Sequence, residues 1–371
     1  VKTENLDFLF QPITIGKLDL SNRIVMAPMT RGFSPDGIPD SNVAAYYRRR
    51  AENEVGLIIT EGTLINHPAA AEGLGRPNFY GKHALAGWAK VVEEVHKVDG
   101  KIIPQLWHVG MARQIQGQNP NPEALPIGPS GIDVISGKKV TQPMTRDEIH
   151  GIVDAFGEAA NQAKRLGFDG IEIHGAHGYL IDQFFWARTN QRKDEYGGDL
   201  AARTRFAIEI IKACRSAVGN DFPIIFRFSQ WKMGHYHEKM ANNPEELASF
   251  LTPLSDAGID IFHASTRRYW EPEFMNSPLN LAGWAKKLTG KPTISVGSVG
   301  LDTNVVDFFT EGKGANHSSL TPLLEKLTHN EFDLVAVGRA LLADPSWAVK
   351  VHHHRESELI SFTKAAMKTL F

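Results

Sequence analysis

Eight short runs rich in Val and Ile punctuate the chain, each followed by a loop and then by a stretch with helical period. They cover residues 24–30, 56–62, 101–108, 170–177, 223–229, 259–265, 292–298 and 332–339. Near-continuous apolar strands that alternate with helices specify a parallel sheet covered on its outer face. Eight such units predict closure into a single (β/α)8 barrel, a TIM barrel of the α/β class, rather than an open sheet. A length of 371 residues is ordinary for one barrel, so 1–371 is read as one domain.

Two features sit outside that repeat. Within 1–22, PITIG and LDLSN are short alternating segments joined around Gly16 and Lys17, a hairpin expected to plug the bottom of the barrel. After the third run, 109–145 carries Pro, Gly and Asn without helical period through residue 142. A loop of that length inside a compact domain is normally functional, so it is expected to rise from the active-site face as a lid. Thr145 and Glu148 then have the spacing of a capping box, and Ile149, Val153, Phe156, Ala160 and Ala163 recur at helical spacing behind it. Cys214, the one cysteine, falls in the apolar stripe Phe206, Ile210, Val218 and reads as core.

Hydrophobic content of 42% with 22% charged residues suits a globular protein, and a net charge of -2 gives no reason to expect nucleic acid. A single cysteine fits a reducing compartment. The N-terminal VKTENLDFLFQP lacks a signal-peptide core and no apolar run is long enough for a bilayer, so a cytoplasmic location and no membrane are the expectation.

A barrel gathers the C-terminal ends of its strands around one mouth. The polar residues there are Thr30, Glu61, Gln105, Trp107, His108, His174, His177, Tyr179, Arg227, Arg267, Ser298 and Arg339. So few carboxylates disfavour a two-carboxylate glycosidase and a two-metal hydrolase. The set suits a flat, phosphorylated, electron-accepting ligand. The seventh and eighth runs end in the glycine turns VGSVG and VGRALL, where barrels commonly bind phosphate, and Arg339 adds a charged fork. Arg227 reads as a salt-bridge partner or as a cation beneath a ring that gains electrons. Gln105 offers the donor and acceptor that a flavin-like pyrimidine edge demands, and Thr30 a hydroxyl for a ring carbonyl. For either of these alone, a local backbone hydrogen bond is the commoner use. His174 and His177 could each be satisfied core histidines. As a pair at a strand end they could instead converge on one substrate oxygen, with Tyr179 as proton donor.

These residues match a known pattern. SNRIVMAPMTR, the TEG of the second run, QLWH, H-x-x-H-G-Y-L followed by DQF and DEYGG, and VGRALLADP give a chain that resembles the Old Yellow Enzyme family of FMN-dependent ene-reductases over nearly its whole length. The resemblance implies non-covalent FMN reduced by NADPH or NADH. Hydride then passes to the β-carbon of an α,β-unsaturated carbonyl or nitro compound, and Tyr179 protonates the α-carbon. It implies that His174 and His177 grip the substrate oxygen and that Trp107 shapes the pocket. Thr30, Pro28, Met29, Gly62 and Gln105 would line the flavin, Arg227 would stabilise its reduced form, and Gly297, Ser298, Gly338 and Arg339 would hold its phosphate. The second oxygen-binding residue is asparagine in some members and histidine here, and Thr30 stands where one subgroup has cysteine. Residues 263–276 match neither group well, and Tyr269 and Trp270 could reach over the mouth or pack. Related proteins occur as monomers, dimers and tetramers, so a homo-oligomer is compatible with the resemblance. The alternative is a metal-dependent barrel hydrolase using His174, His177, His235 and His237; the run 352–354 reads as a solvated helix end.

Overall fold

A computed structural model describes residues 6–371, so positions 1–5 of the N-terminal region lie outside the described residues. Two strands, β1 (Ile13–Ile15) and β2 (Leu18–Leu20), form an antiparallel hairpin. Eight more close a parallel barrel: β3 (Ile24–Met26), β4 (Leu57–Leu64), β5 (Ile102–Trp107), β6 (Ile171–His177), β7 (Ile224–Lys232), β8 (Ile261–Ser265), β9 (Thr293–Val296) and β10 (Leu334–Val337). Each pairs with the next, and β10 pairs back onto β3, so the barrel has no free edge.

Alternation along each strand explains why the runs are apolar throughout. Val25, Leu57, Ile59, Ile103, Ile225, Ile261, Ile294 and Leu334 point inward and pack together. Their neighbours Ile24, Ile58, Ile102, Ile171, Ile224, Phe262 and Val335 point outward into the layer shared with the helices. Ile15, Leu18 and Leu20 of the hairpin join the inward group, which seats the hairpin as a plug.

The helix Arg146–Arg165 begins with the foreseen capping box. Thr145 accepts from the Glu148 N–H at 3.2 Å, and its own N–H donates to the Glu148 carboxylate at 2.7 Å. Phe206, Ile210, Cys214 and Val218 form the buried face of Arg205–Val218. Cys214 is fully buried, and desolvation pushes its thiol up to about 12, so it is core and not a reactive thiol. Residues 109–145 hold one 3-10 turn, Gly110–Ala112, and no strand or α-helix. Met111, Ala112 and Val134 from this excursion pack with Trp107 and Leu64, at the C-terminal ends of β5 and β4. Among the described residues no helix is long and apolar enough to cross a membrane.

Candidate active site

The end of β6 is where the strand stops being regular. Its register with β7 breaks between Gly175 and His177, and His177 (φ 65°) and Gly178 (φ 80°) both take left-handed backbone. That conformation is uncommon for a non-glycine residue and costs on the order of 1–3 kcal/mol. It is held by two hydrogen bonds: His177 N–H to Ser229 Oγ at 2.9 Å and Gly178 N–H to the Asp182 carboxylate at 2.7 Å. The turn gathers the rings. His174 and His177 meet edge to face at 5.1 Å, Tyr179 meets His174 at 5.0 Å, and Trp107 meets Tyr179 at 5.0 Å. Trp231, unforeseen, stacks on His177 at 4.3 Å.

Burial and the Arg227 cation hold both imidazoles well below the usual histidine range, so they are neutral near pH 7. Their hydrogen bonds assign the tautomers. The Ala176 N–H donates to His174 Nδ1 at 3.3 Å, which puts the His174 proton on Nε2. Arg227 donates to Ser265 Oγ at 3.4 Å, and Ser265 lies 2.7 Å from His177 Nε2. The serine hydroxyl has no other acceptor among the described residues, so its proton is assigned to His177 Nε2 and that ring's own proton to Nδ1. Neither His174 Nε2 nor His177 Nδ1 has a partner among the described residues, so each ring keeps one free donor. Desolvation raises Tyr179 to about 12, so its hydroxyl stays protonated.

The predicted cofactor residues fall around the same mouth. Arg227 is buried, has no ion pair among the described residues, and its Nε has no hydrogen-bond partner. The salt-bridge reading of Arg227 therefore finds no partner among the described residues, and neither Thr30 nor Gln105 makes the local backbone hydrogen bond weighed for it. Thr30 is exposed without a side-chain hydrogen bond among the described residues, and Gln105 donates from Nε2 to Glu172 at 2.8 Å. Pro28 and Met29 are half-buried. Met29 Sδ faces Gly338, where a Cβ would meet it at 3.4 Å. Gly62 pairs with Gln105, and the space of its missing side chain is filled by the Trp107 ring, 2.5 Å from where a Cβ would stand.

At the seventh and eighth strand ends, Gly297 (φ 141°) and Ser298 (φ 54°) leave the sheet in backbone conformations that a side chain at 297 could not share, since a Cβ there would fall 2.7 Å from the Thr266 carbonyl. Arg339 reaches back to Ser298 Oγ at 3.4 Å and to the Thr303 and Asn304 carbonyls. Burial lowers it to about 10, and no carboxylate is paired with it among the described residues. A half-buried guanidinium served only by neutral oxygens beside a glycine turn fits a phosphate. A second cation lacking an ion pair among the described residues, the buried Arg227, lies at the mouth with the hydroxyl of Thr30 and the amide of Gln105. The residues present therefore fit FMN.

The metal alternative fails on position. His235 turns its Nε2 to the Val134 and Ile135 carbonyls, and no group of three metal-ligating atoms forms from His174, His177, His235 and His237. Tyr269 is buried core, with Trp270 exposed against its edge. Sequence reasoning passed over Glu172, His263 and Ser265. A carboxylate between Ile171 and Ile173 in a fully buried strand was the visible signal for the first of them.

The NADH:flavin oxidoreductase / NADH oxidase family matches residues 8–358. The chain is 34% identical over 361 residues to an NADH oxidase of Thermoanaerobacter brockii, covering 95% of this chain and 52% of that protein. It is 40% identical over 248 residues to putative 12-oxophytodienoate reductase 2 of Oryza sativa subsp. japonica, covering 66% of this chain and 64% of the relative. It thus spans about half the length of the first of these curated relatives and just under two thirds of the second. The structure of morphinone reductase in complex with tetrahydroNAD superposes with a TM-score of 0.80 at 28% identity, over 97% of this chain and 93% of that one. The chain belongs to the NADH:flavin oxidoreductase / NADH oxidase family, the Old Yellow Enzyme family of FMN- and NAD(P)H-dependent oxidoreductases.

Proposed function

We propose that the protein is an ene-reductase acting on small activated alkenes, α,β-unsaturated carbonyl or nitro compounds. The observation that carries this reading is the group of two neutral imidazoles and a protonated tyrosine at the end of β6. Bound FMN would supply two-electron chemistry, accepting hydride from NADPH or NADH and delivering it to an electron-poor alkene. Thr30, Pro28, Met29, Gly62, Gln105 and Arg227 would hold its ring, and Gly297, Ser298, Gly338 and Arg339 its phosphate. His174 Nε2–H and His177 Nδ1–H donate to the substrate's carbonyl or nitro oxygen, drawing electron density from the alkene as an oxyanion hole does. Tyr179 gives its proton to the α-carbon. Trp107 walls the substrate space, and the 109–145 excursion, packed on Trp107, serves as its lid.

The purified protein should be yellow after reconstitution with FMN, bleach anaerobically with NADPH or NADH, and regain colour when cyclohexenone or a nitroalkene is added. Bleaching without reoxidation by any member of an enone and nitroalkene panel would reject the substrate class. His174→Ala should bind phenols, which present an oxygen to the same donors, up to about 10-fold more weakly, since one hydrogen bond is lost. Flavin content should be unchanged. Phenol affinity equal to that of the parent would remove the oxygen-gripping role.

A further inference from the structure

Inside the barrel, the inward side chains change character from one tier to the next. Ile103, Ile225 and Ile261 belong to the apolar tier above the hairpin plug. Two residues further along the same strands stand Gln105, Arg227 and His263, and Glu172 joins them from β6. Glu172 and His263 are fully buried. Both carboxylate oxygens of Glu172 are used: Oε1 accepts from Gln105 Nε2 at 2.8 Å, and Oε2 lies 2.7 Å from His263 Nδ1. An ionised carboxylate only accepts, so the His263 proton is on Nδ1 and its Nε2 is bare. That Nε2 and the Nε of Arg227 are both buried without a hydrogen-bond partner, and their residues are register partners across β7 and β8. In this tier the acid, the amide and the His263 imidazole are hydrogen-bonded in a chain, and the Arg227 cation stands beside His263 in register.

We propose that Glu172, through Gln105 and opposite Arg227, is a positioning residue that sets both the orientation and the redox potential of the FMN. It deepens the proposed flavin site and rests on that reading. The Gln105 amide is fixed by its bond to Glu172, which leaves the amide oxygen and the second N–H for a ligand's pyrimidine edge. His263 holds the other carboxylate oxygen and keeps the acid from turning toward the mouth. The second effect is charge. Two-electron reduction adds negative charge to a flavin, and Arg227 favours that state. Glu172 is the strongest charged influence on Arg227 and has the opposite sign. A fixed negative charge in the same tier therefore holds the potential lower than Arg227 alone would set it.

The sign separates this role from a structural one. Glu172→Gln keeps the shape and can still accept from Gln105 while removing the charge. In the FMN-loaded full chain its midpoint potential should rise by about 30 mV, the equivalent of a tenfold gain in holding reduced over oxidised flavin. Glu172→Asp keeps the charge and should stay near the parent potential. Arg227→Gln should lower it, and the double variant Glu172→Gln/Arg227→Gln should return near the parent. An unmoved or lowered potential in Glu172→Gln overturns the inference. If the lone cation left by that variant prevents folding, the double variant decides: a potential as low as that of Arg227→Gln alone overturns it. A parent chain that takes up no FMN would sink the flavin site itself. Normal FMN uptake and alkene reduction with an unresponsive potential would sink only this inference.

Discussion

Tyr179→Phe should slow alkene reduction by about 10²–10⁴-fold, the usual worth of a positioned general acid, and leave flavin reduction by NAD(P)H nearly unchanged. The substitution removes one oxygen and little else. The ring is wedged edge-on between Trp107 and His174, each 5.0 Å away, and the hydroxyl has no hydrogen bond among the described residues. Phenylalanine therefore keeps the packing and leaves no buried polar group behind. Desolvation holds the hydroxyl at about 12, with the Arg76 guanidinium the strongest of the charges opposing that rise. The group is thus protonated at any working pH, and the imidazoles, depressed from 6.5, are neutral. It follows that the alkene half-reaction of the parent should be flat from about pH 7 to 9. Stopped-flow measurement of the two half-reactions separates them. Equal slowing of both, or a steep titration of the alkene step near neutrality, would reject Tyr179 as the donor.

The barrel was legible because parallel strands buried on both faces need unbroken Val and Ile, and nothing else in the chain has that texture. Strand ends were less so. The first run reads as 24–30, yet β3 stops at Met26, and Pro28, which has no N–H to donate, follows close behind. The fifth run reads as 223–229, yet β7 continues to Lys232, because the irregular end of β6 gives it a further partner: His177 pairs with Lys232 across the break. Site residues were readable where one side chain announces its chemistry, as at His174, His177, Tyr179 and Arg339. Those that act in combination were not. Glu172 faces Gln105 only once β5 and β6 are aligned in register, and linear sequence does not print that alignment. The same holds for Arg31 and Arg50. Both are buried and donate to backbone carbonyls near residue 371, Arg31 to Ala366 and Thr369 and Arg50 to Phe371.

Asp182→Ala should destabilise the protein by about 3–5 kcal/mol, because it strands a buried ammonium. Lys232 Nζ lies 2.6 Å from Asp182 Oδ1, with both side chains fully buried, and its other bond is a longer one of 3.3 Å to the Ser229 carbonyl. The acid has a second task. Its Oδ2 accepts from the Gly178 N–H, inside the left-handed turn that presents His177 and Tyr179. The two tasks separate experimentally. Asp182→Leu/Lys232→Met replaces both charges with apolar volume and should recover most of the lost stability, as buried pairs often do when both members are removed. It does not restore an acceptor for Gly178. Alkene reduction should then stay depressed, by as much as about 10²-fold where catalytic groups shift by an ångström, although denaturant midpoints return toward the parent. If the double variant regained full activity together with its stability, the Asp182–Gly178 bond would be shown to have no part in holding the tyrosine. If the single variant lost less than about 1 kcal/mol, the pair would be behaving as an exposed one, which its burial forbids.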